Sequence, residues 1–357
     1  MKIFVYEHLC ATSPSSQGAD SLEREGRAML HSVLSDLASL GDVDLYCCLH
    51  PGQPRPALPR LHVLRANPTL RQAVMQIASM CDGSLVIAPE TDGILGDVVQ
   101  WVLNAGGTLL GPDLATIKLF SDKIETAQLL GPKTIPSTIL PDLPHNVGPL
   151  VVKPRYGAGS AHTVIGPRVE VNAMMAAIRC QDYSGELISQ PFWPGLPASI
   201  AMVVRATGQA VILPAAEQII DTIEIGPKEH CRSNGFRWLH YKGGRMPLSL
   251  SHHRRARALA EFLLSTTPGI RGYIGIDLVL APDDEGTFDR IVEVNPRLTT
   301  SYTGYSQLLG GSTMGRLLLD RETNATCEFD CFLNNGKRLR YQPDGIGVWE
   351  HASIQGR

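Results

Sequence analysis

The segment Arg271–Arg297, RGYIGIDLVLAPDDEGTFDRIVEVNPR, constrains the fold more than any other part of the chain. Two runs rich in Ile and Val, Tyr273 to Leu280 and Arg290 to Val294, flank the polar turn Pro282-Asp283-Asp284-Glu285-Gly286, and this pattern predicts a β-hairpin. Alternation along the strands puts Asp277 on the face opposite Ile276 and Leu278. It puts Glu293 opposite Val292 and Val294, with Asn295 on the side of Glu293. Two carboxylates and an amide oxygen can then converge. Such a set suits Mg²⁺, or Mn²⁺ in its place, because a hard cation takes oxygen ligands and completes its shell with water and phosphate. The competing reading, solvated strand residues, is disfavoured because acidic residues are rare inside apolar strands unless paired or metal-bound.

The rest of the 357 residues leave room for two or three domains with sizeable cores. A net charge of −3 argues against a general nucleic-acid surface, and the basic cluster from His252 to Arg257 is short enough to read as a solvated helix face. The eight cysteines lack metal-ligand spacing: Cys47 and Cys48 are adjacent, and Cys327 with Cys331 has no second pair. They predict free thiols in a reducing compartment. No apolar run is long enough to cross a bilayer, and Met1 leads straight into a strand without a basic start and cleavage site; the expected location is the cytoplasm.

Taken in order, the chain alternates strand and helix. Strands are expected at Lys2–Glu7, Val43–Cys48, Leu61–Arg65 and Leu85–Ala88, with helices near Leu22–Leu40, Leu70–Met80 and Ile94–Ala105. The pattern predicts an α/β doubly wound parallel sheet, which binds ligands at the carboxyl ends of its strands. Glu7 and Glu90 sit at such ends and are candidates for holding a substrate amine, although strand-end carboxylates more often cap a helix or loop. Gly111-Pro112-Asp113 marks the expected end of this domain.

A helix over Leu114–Leu130 carries Ser121-Asp122-Lys123. A strand from Leu150 to Lys153 then runs into the loop Gly157-Ala158-Gly159-Ser160, and a second strand follows at His162–Ile165. Lying between strands, this loop is neither a P-loop nor a dinucleotide fingerprint. Its glycines still let backbone N–H groups approach phosphate oxygens, Ser160 adds a donor and Lys153 a point charge. Taken alone it is as readily a simple turn. A helix at Val169–Cys180 leads to an apolar strand ending in the connector Gln190-Pro191-Phe192-Trp193-Pro194-Gly195. Strands follow at Ser199–Arg205 and Gln209–Pro214. The polar region Asp221–Arg245 is expected to be a long loop folding over a ligand, with Lys242 its candidate phosphate contact. Helices are expected at His252–Leu264 and Ser306–Leu319, and a strand pair near Cys327–Leu333 and Gly347–Glu350.

In this order, Asp122-Lys123, Lys153 with its glycine loop, the connector, Asp277 and then Glu293-Val294-Asn295-Pro296-Arg297, the chain resembles the ATP-grasp superfamily over about residues 1–320. The resemblance implies an N-terminal pre-ATP-grasp domain (1–112), a small α+β lobe (113–190), a large lobe with the Mg²⁺ site (191–325) and a C-terminal extension (326–357). It implies that ATP phosphates meet Lys123, Lys153 and the loop Gly157, Gly159 and Ser160. Gln190, Phe192 and Trp193 would hold adenine, and Asp277, Glu293 and Asn295 would bind one or two Mg²⁺ ions. Arg297 would meet the phosphoryl group or the substrate carboxylate. Leu196-Pro197-Ala198 stands where the superfamily usually has an acidic ribose ligand, so ribose binding is unassigned. The D-alanine ligase branch often places an arginine where this chain has Gly275. The implied chemistry is ATP-dependent activation of a carboxylate as an acyl phosphate, then attack by an amine. Its partners are small-molecule carboxylates and amines, with no nucleic acid and no membrane; a homo-oligomer is compatible. Within the superfamily, Lys2–Glu7 and Ile291–Tyr302 look most like the tyramine-glutamate ligase group, whose product serves methanofuran-type cofactors.

Overall fold

A computed structural model of the chain describes residues 1–13, 21–65, 69–145, 148–157, 159–224, 235–323 and 337–351. Strands β1 (Lys2–Glu7), β2 (Asp44–Leu49), β3 (Leu61–Arg65) and β4 (Gly83–Ile87) pair in parallel in the order β3-β2-β1-β4. Their side chains divide between two faces. Ile3, Val5, Leu45 and Cys47 pack with Leu30, Val33 and Leu37 of α2 (Ser21–Ala38), which follows the short α1 (His8–Thr12). Phe4, Tyr6 and Cys48 pack with α3 (Leu70–Met80) and α4 (Ile94–Asn104) on the other face. This is the doubly wound arrangement that the strand-helix alternation predicts.

The expected helix over Leu114–Leu130 is two helices, α5 (Leu114–Ser121) and α6 (Lys123–Leu130). Asp122 between them is extended, and its carboxylate accepts the backbone N–H groups of Ile124 and Glu125 as the cap of α6. Apolar periodicity continues through the break and conceals it, whereas an aspartate favours a cap over a helix interior.

The remaining strands form one twelve-stranded sheet whose main path runs β14-β13-β9-β11-β12-β7-β6-β8-β5. They are β5 (Thr138–Ile139), β6 (Leu150–Pro154), β7 (Val164–Gly166), β8 (Leu187–Pro191), β9 (Leu196–Val204), β10 (Ala210–Ile212), β11 (Ala216–Ile223), β12 (Arg237–Met246), β13 (Gly272–Leu280), β14 (Arg290–Asn295), β15 (Lys337–Tyr341) and β16 (Gly347–His351). One part packs on α7 (Val171–Arg179) through Val152, Val164, Met174 and Ile178. The other packs on α8 (Leu250–Thr266), where Ile200, Ile274 and Ile276 meet Leu259 and Leu263.

Three expectations change here. Among its described residues the polar region Asp221–Arg245 is largely strand: β11 and β12 pair from Ile220 opposite Tyr241 to Ile223 opposite Trp238, and the connection 225–234 lies outside the described residues. Strands with a wet face carry polar residues and read as loop. The helix over Ser306–Leu319 is instead α9 (Ser301–Leu309) and α10 (Gly311–Leu318), separated by Gly310 at φ +83°. The strand expected at Cys327–Leu333 lies outside the described residues; the partner of β16 is β15, which also pairs with β12. The five described cysteines are free thiols.

The two sheets share a core. Met29, Leu30, Leu34 and Leu37 of α2 meet Tyr302, Tyr305 and Leu308 of α9, Met314 and Leu317 of α10, and Tyr341 of β15. Asp36 of α2 accepts from the Tyr302 hydroxyl at 2.6 Å and the Ser306 hydroxyl at 2.7 Å, and this buried contact pins α9 to the N-terminal sheet. No helix among the described residues is long and apolar enough to cross a membrane.

Candidate active site

The hairpin of β13 and β14 brings Asp277 directly opposite Glu293, and Gly275 opposite Asn295. The next pair is Leu278 with Ile291, so Val292 is the extra residue of a β-bulge and strict alternation fails there. Asp277 is held by two amides: Gln218 Nε2 donates to Oδ1 at 2.7 Å and Asn295 Nδ2 donates to Oδ2 at 3.0 Å. Burial, with the neighbouring Glu293 charge, nevertheless pushes the Asp277 carboxyl up to about 6. Gln218 carries no sequence signal of its own, because only the pairing of β11 beside β9 brings it there. Gly275 has a local reason: a Cβ at this position would stand 2.4 Å from Thr299 Cγ2.

Two lysines face this pair. Lys123 opens α6, and its Nζ lies 3.2 Å from Glu293 Oε1 and donates to the Gly157 carbonyl at 3.1 Å. Lys153, on β6, is buried, and burial together with the Lys123 charge lowers its ammonium to about 8 against the pull of Glu293 and Asp277. Asp122 fixes the geometry between the lysines. It caps α6 and also accepts from Arg155 Nε at 2.9 Å and from the Tyr156 hydroxyl at 2.9 Å, tying α6 to the strand that carries Lys153. Gly159 adopts φ +63°, which glycine favours, and the Ser160 hydroxyl accepts the Tyr241 backbone N–H at 3.1 Å; Ala158 lies outside the described residues.

Lys123, Lys153, Gly157, Asp277, Glu293 and Asn295 therefore form one cluster, assembled from α6, β6, the glycine loop, β13 and β14. A hard divalent cation fits its donors: two carboxylates on facing strand positions, with the Asn295 side-chain amide next to Asp277. Burial and the Glu293 charge both disfavour the Asp277 carboxylate, and a cation bound beside it would offset them. Among the described residues no group of three or more His, Cys, Asp or Glu side chains is placed to hold a metal ion.

The other expected residues sit apart. Gln190 is buried in β8 and donates to the Ser137 hydroxyl at 2.8 Å. The Phe192 ring is exposed, while its backbone N–H donates to Pro149 O at 2.8 Å. The Trp193 indole donates to Phe288 O at 2.7 Å and lies under Arg290, 4.6 Å from its ring centre, so it ties the connector to the hairpin turn. Lys242 is exposed on β12. Arg297 makes a two-pronged ion pair with Glu90, at 2.9 and 3.0 Å, and also donates to Leu298 O. Glu7 accepts the Cys10 backbone N–H at 2.7 Å as the cap of α1. The two strand-end carboxylates are thus engaged by the protein itself.

A family model described as the pre ATP-grasp 3 domain matches residues 43–117, and one described as the ATP-grasp domain matches residues 120–301, more than half of the chain. The chain belongs to the ATP-grasp family. Solved structures share the fold. A protein of the ATP-grasp superfamily from Archaeoglobus fulgidus has 21% identity and a TM-score of 0.65 over 95% of this chain and 92% of that one. The L-amino acid ligase of Bacillus licheniformis has 16% identity and a TM-score of 0.60, covering 96% and 79%. Biotin carboxylase from Campylobacter jejuni has 12% identity and a TM-score of 0.65, covering 95% and 75%. No curated protein sequence matches the chain. The ATP-grasp match ends at residue 301, so β15 and β16 lie beyond it.

Proposed function

We propose that this ATP-grasp protein is an ATP- and Mg²⁺-dependent carboxylate-amine ligase. The single observation that carries the reading is the cluster of buried Lys123 and Lys153 against half-buried Asp277 and Glu293, in a family whose solved relatives are named as a ligase and a carboxylase. In the proposed reaction a substrate carboxylate oxygen attacks the γ-phosphorus of ATP, the bond to the β-phosphate oxygen breaks, and ADP leaves. An amine nitrogen then attacks the acyl carbon of the acyl phosphate, phosphate departs, and the nitrogen loses a proton to solvent.

Lys123 and Lys153 place positive charge at the transferring phosphoryl group, and the Gly157–Ser160 loop offers backbone donors above it. When bound at Asp277, Glu293 and Asn295, Mg²⁺ supplies charge neutralisation to the phosphate oxygens. Gln190, Phe192 and Trp193 line the adenine position. Arg297, held by Glu90, would meet the carboxylate or phosphoryl group. The residue division 1–112, 113–190, 191–325 and 326–357 and a cytoplasmic location belong to the same reading.

For substrates, the resemblance of Lys2–Glu7 and Ile291–Tyr302 to the tyramine-glutamate ligase group supports glutamate as acyl donor and tyramine or a related amine as acceptor, in a methanofuran-type pathway. The likeness to an L-amino acid ligase supports a second reading, in which the acceptor is another amino acid. A panel of amines and amino acids tests both. ADP and phosphate release should depend on glutamate and be stimulated most by an aryl amine. Stimulation by amino acids alone would favour the second reading, and nucleotide binding without acceptor-dependent ADP formation would sink the ligase assignment.

A further inference from the structure

Tyr341 lies on β15, beyond the region matched by the family, yet it points into the face that carries the carboxylate pair. It is fully buried. Across the sheet, Glu293 stands opposite Asp277 and Asp277 opposite Ser199; farther along, Gln218 stands opposite Gly244 and Gly244 opposite Tyr341. Directly paired positions share a face of the sheet. Gly244 therefore separates Tyr341 from Gln218, which donates to Asp277.

The gap over Gly244 is shaped for this tyrosine. A Cβ at Gly244 would stand 2.5 Å from Tyr341 Oη and 2.7 Å from Cζ, and one at Gly304 of α9 would stand 2.8 Å from Cδ1. Two side chains are absent where the ring needs room. The hydroxyls of Ser199 and Tyr241 are the polar neighbours of Tyr341, and the Tyr241 backbone N–H reaches the Ser160 hydroxyl of the glycine loop. The buried Tyr341 and Ser199 hydroxyls face each other, and both neighbour the Asp277 carboxylate, which stands opposite Ser199 on the adjoining strand.

We propose that Tyr341 is a positioning residue for the cation-binding carboxylates, its hydroxyl acting through Ser199 on Asp277, so that the C-terminal strand completes the site. The inference rests on the function proposed above. Mn²⁺ binding to the full-length protein with a non-hydrolysable ATP analogue, followed by electron paramagnetic resonance, tests it. Tyr341→Phe keeps the ring and Ser199→Ala keeps the strand. Each should weaken Mn²⁺ about tenfold, the scale expected for groups that orient metal ligands. The double variant should be no weaker than the worse single one, because both act along one path. Unchanged affinity in Tyr341→Phe, fully additive losses, or a loss that tracks a changed far-ultraviolet circular dichroism spectrum would overturn the inference. Wild-type protein that takes up no Mn²⁺ with the nucleotide analogue would instead bring down the proposed function and this inference with it.

Discussion

Two ion pairs, Glu90 with Arg297 and Glu293 with Lys123, look alike in composition and differ in what they leave undone. Glu90 and Arg297 meet through two parallel hydrogen bonds, and the guanidinium also covers the Leu298 carbonyl. Each charge meets a matched partner, and because Glu90 precedes Arg297 by most of the chain, the pair ties the N-terminal domain to the segment after β14. Glu293 and Lys123 meet through a single contact. Lys123 shares its ammonium with a loop carbonyl, a second lysine stands nearby, and a second carboxylate is pushed toward neutrality by burial and by Glu293. A closed pair holds a structure together, whereas an open quartet of two lysines and two carboxylates is arranged to be completed by phosphate and a cation.

The sharpest way to break that contrast is to remove charge from the open side. Glu293→Gln or Asp277→Asn should leave the circular dichroism spectrum unchanged and lower turnover by about a thousandfold, equivalent to about 4 kcal/mol of barrier. Turnover at the wild-type rate would move the cation site elsewhere. On the closed side the effect should fall on stability. Arg297→Met leaves the Glu90 carboxylate buried and uncompensated, which should cost about 3 kcal/mol in urea unfolding. The double variant Arg297→Met with Glu90→Leu should recover most of this loss. Full stability in the single variant would show that the pair is no lock.

The same contrast divides what the sequence reveals from what it hides. The Asp277 hairpin, the parallel sheet and its flanking helices follow from local periodicity, and the structure has them at nearly the expected residues. Both lysines, Asp277, Glu293 and Asn295 also come together from four separate segments. Hidden are the features that only pairing creates. The bulge at Val292 places Glu293 opposite Asp277 by inserting a residue that alternation does not foresee. Gln218 reaches Asp277 because β11 lies beside β9, and Asp122 gathers Arg155 and Tyr156 through a helix break masked by continuous apolar spacing. The stretch Asp221–Arg245 reads as loop because the strand residues it holds are largely polar, and no local pattern announces that β15 joins β12.

Lys153 offers a smaller test of the open side. Lys153→Ala should weaken ATP binding about thirtyfold, about 2 kcal/mol, in calorimetry, with little change in thermal midpoint, because it deletes one phosphate-directed charge. Unchanged nucleotide affinity would refute the phosphate role. The charge is also titratable: with the folded ammonium lowered to about 8, Lys153 is cationic below that pH, so affinity for the nucleotide should decline as pH rises through about 8.

The smallest expected effect comes from acid titration without a cation, and it distinguishes strain from pairing. Asp277 has its folded value raised to about 6, so between the ordinary aspartate value and about 6 the folded protein binds more protons than the unfolded chain. Its contribution to stability is therefore greatest below that window and is lost as pH rises through about 6, with a slope of at most about 1.4 kcal/mol per pH unit. A carboxylate that is satisfied in the fold gives the opposite slope. Asp277→Asn should flatten the curve. Added Mg²⁺ should reverse its sign in the wild type, because cation binding needs the deprotonated form and strengthens across the same window. If the curve for Asp277→Asn overlays the wild type with and without Mg²⁺, Asp277 carries no strained charge and takes no cation, and the distinction between the two ion pairs disappears.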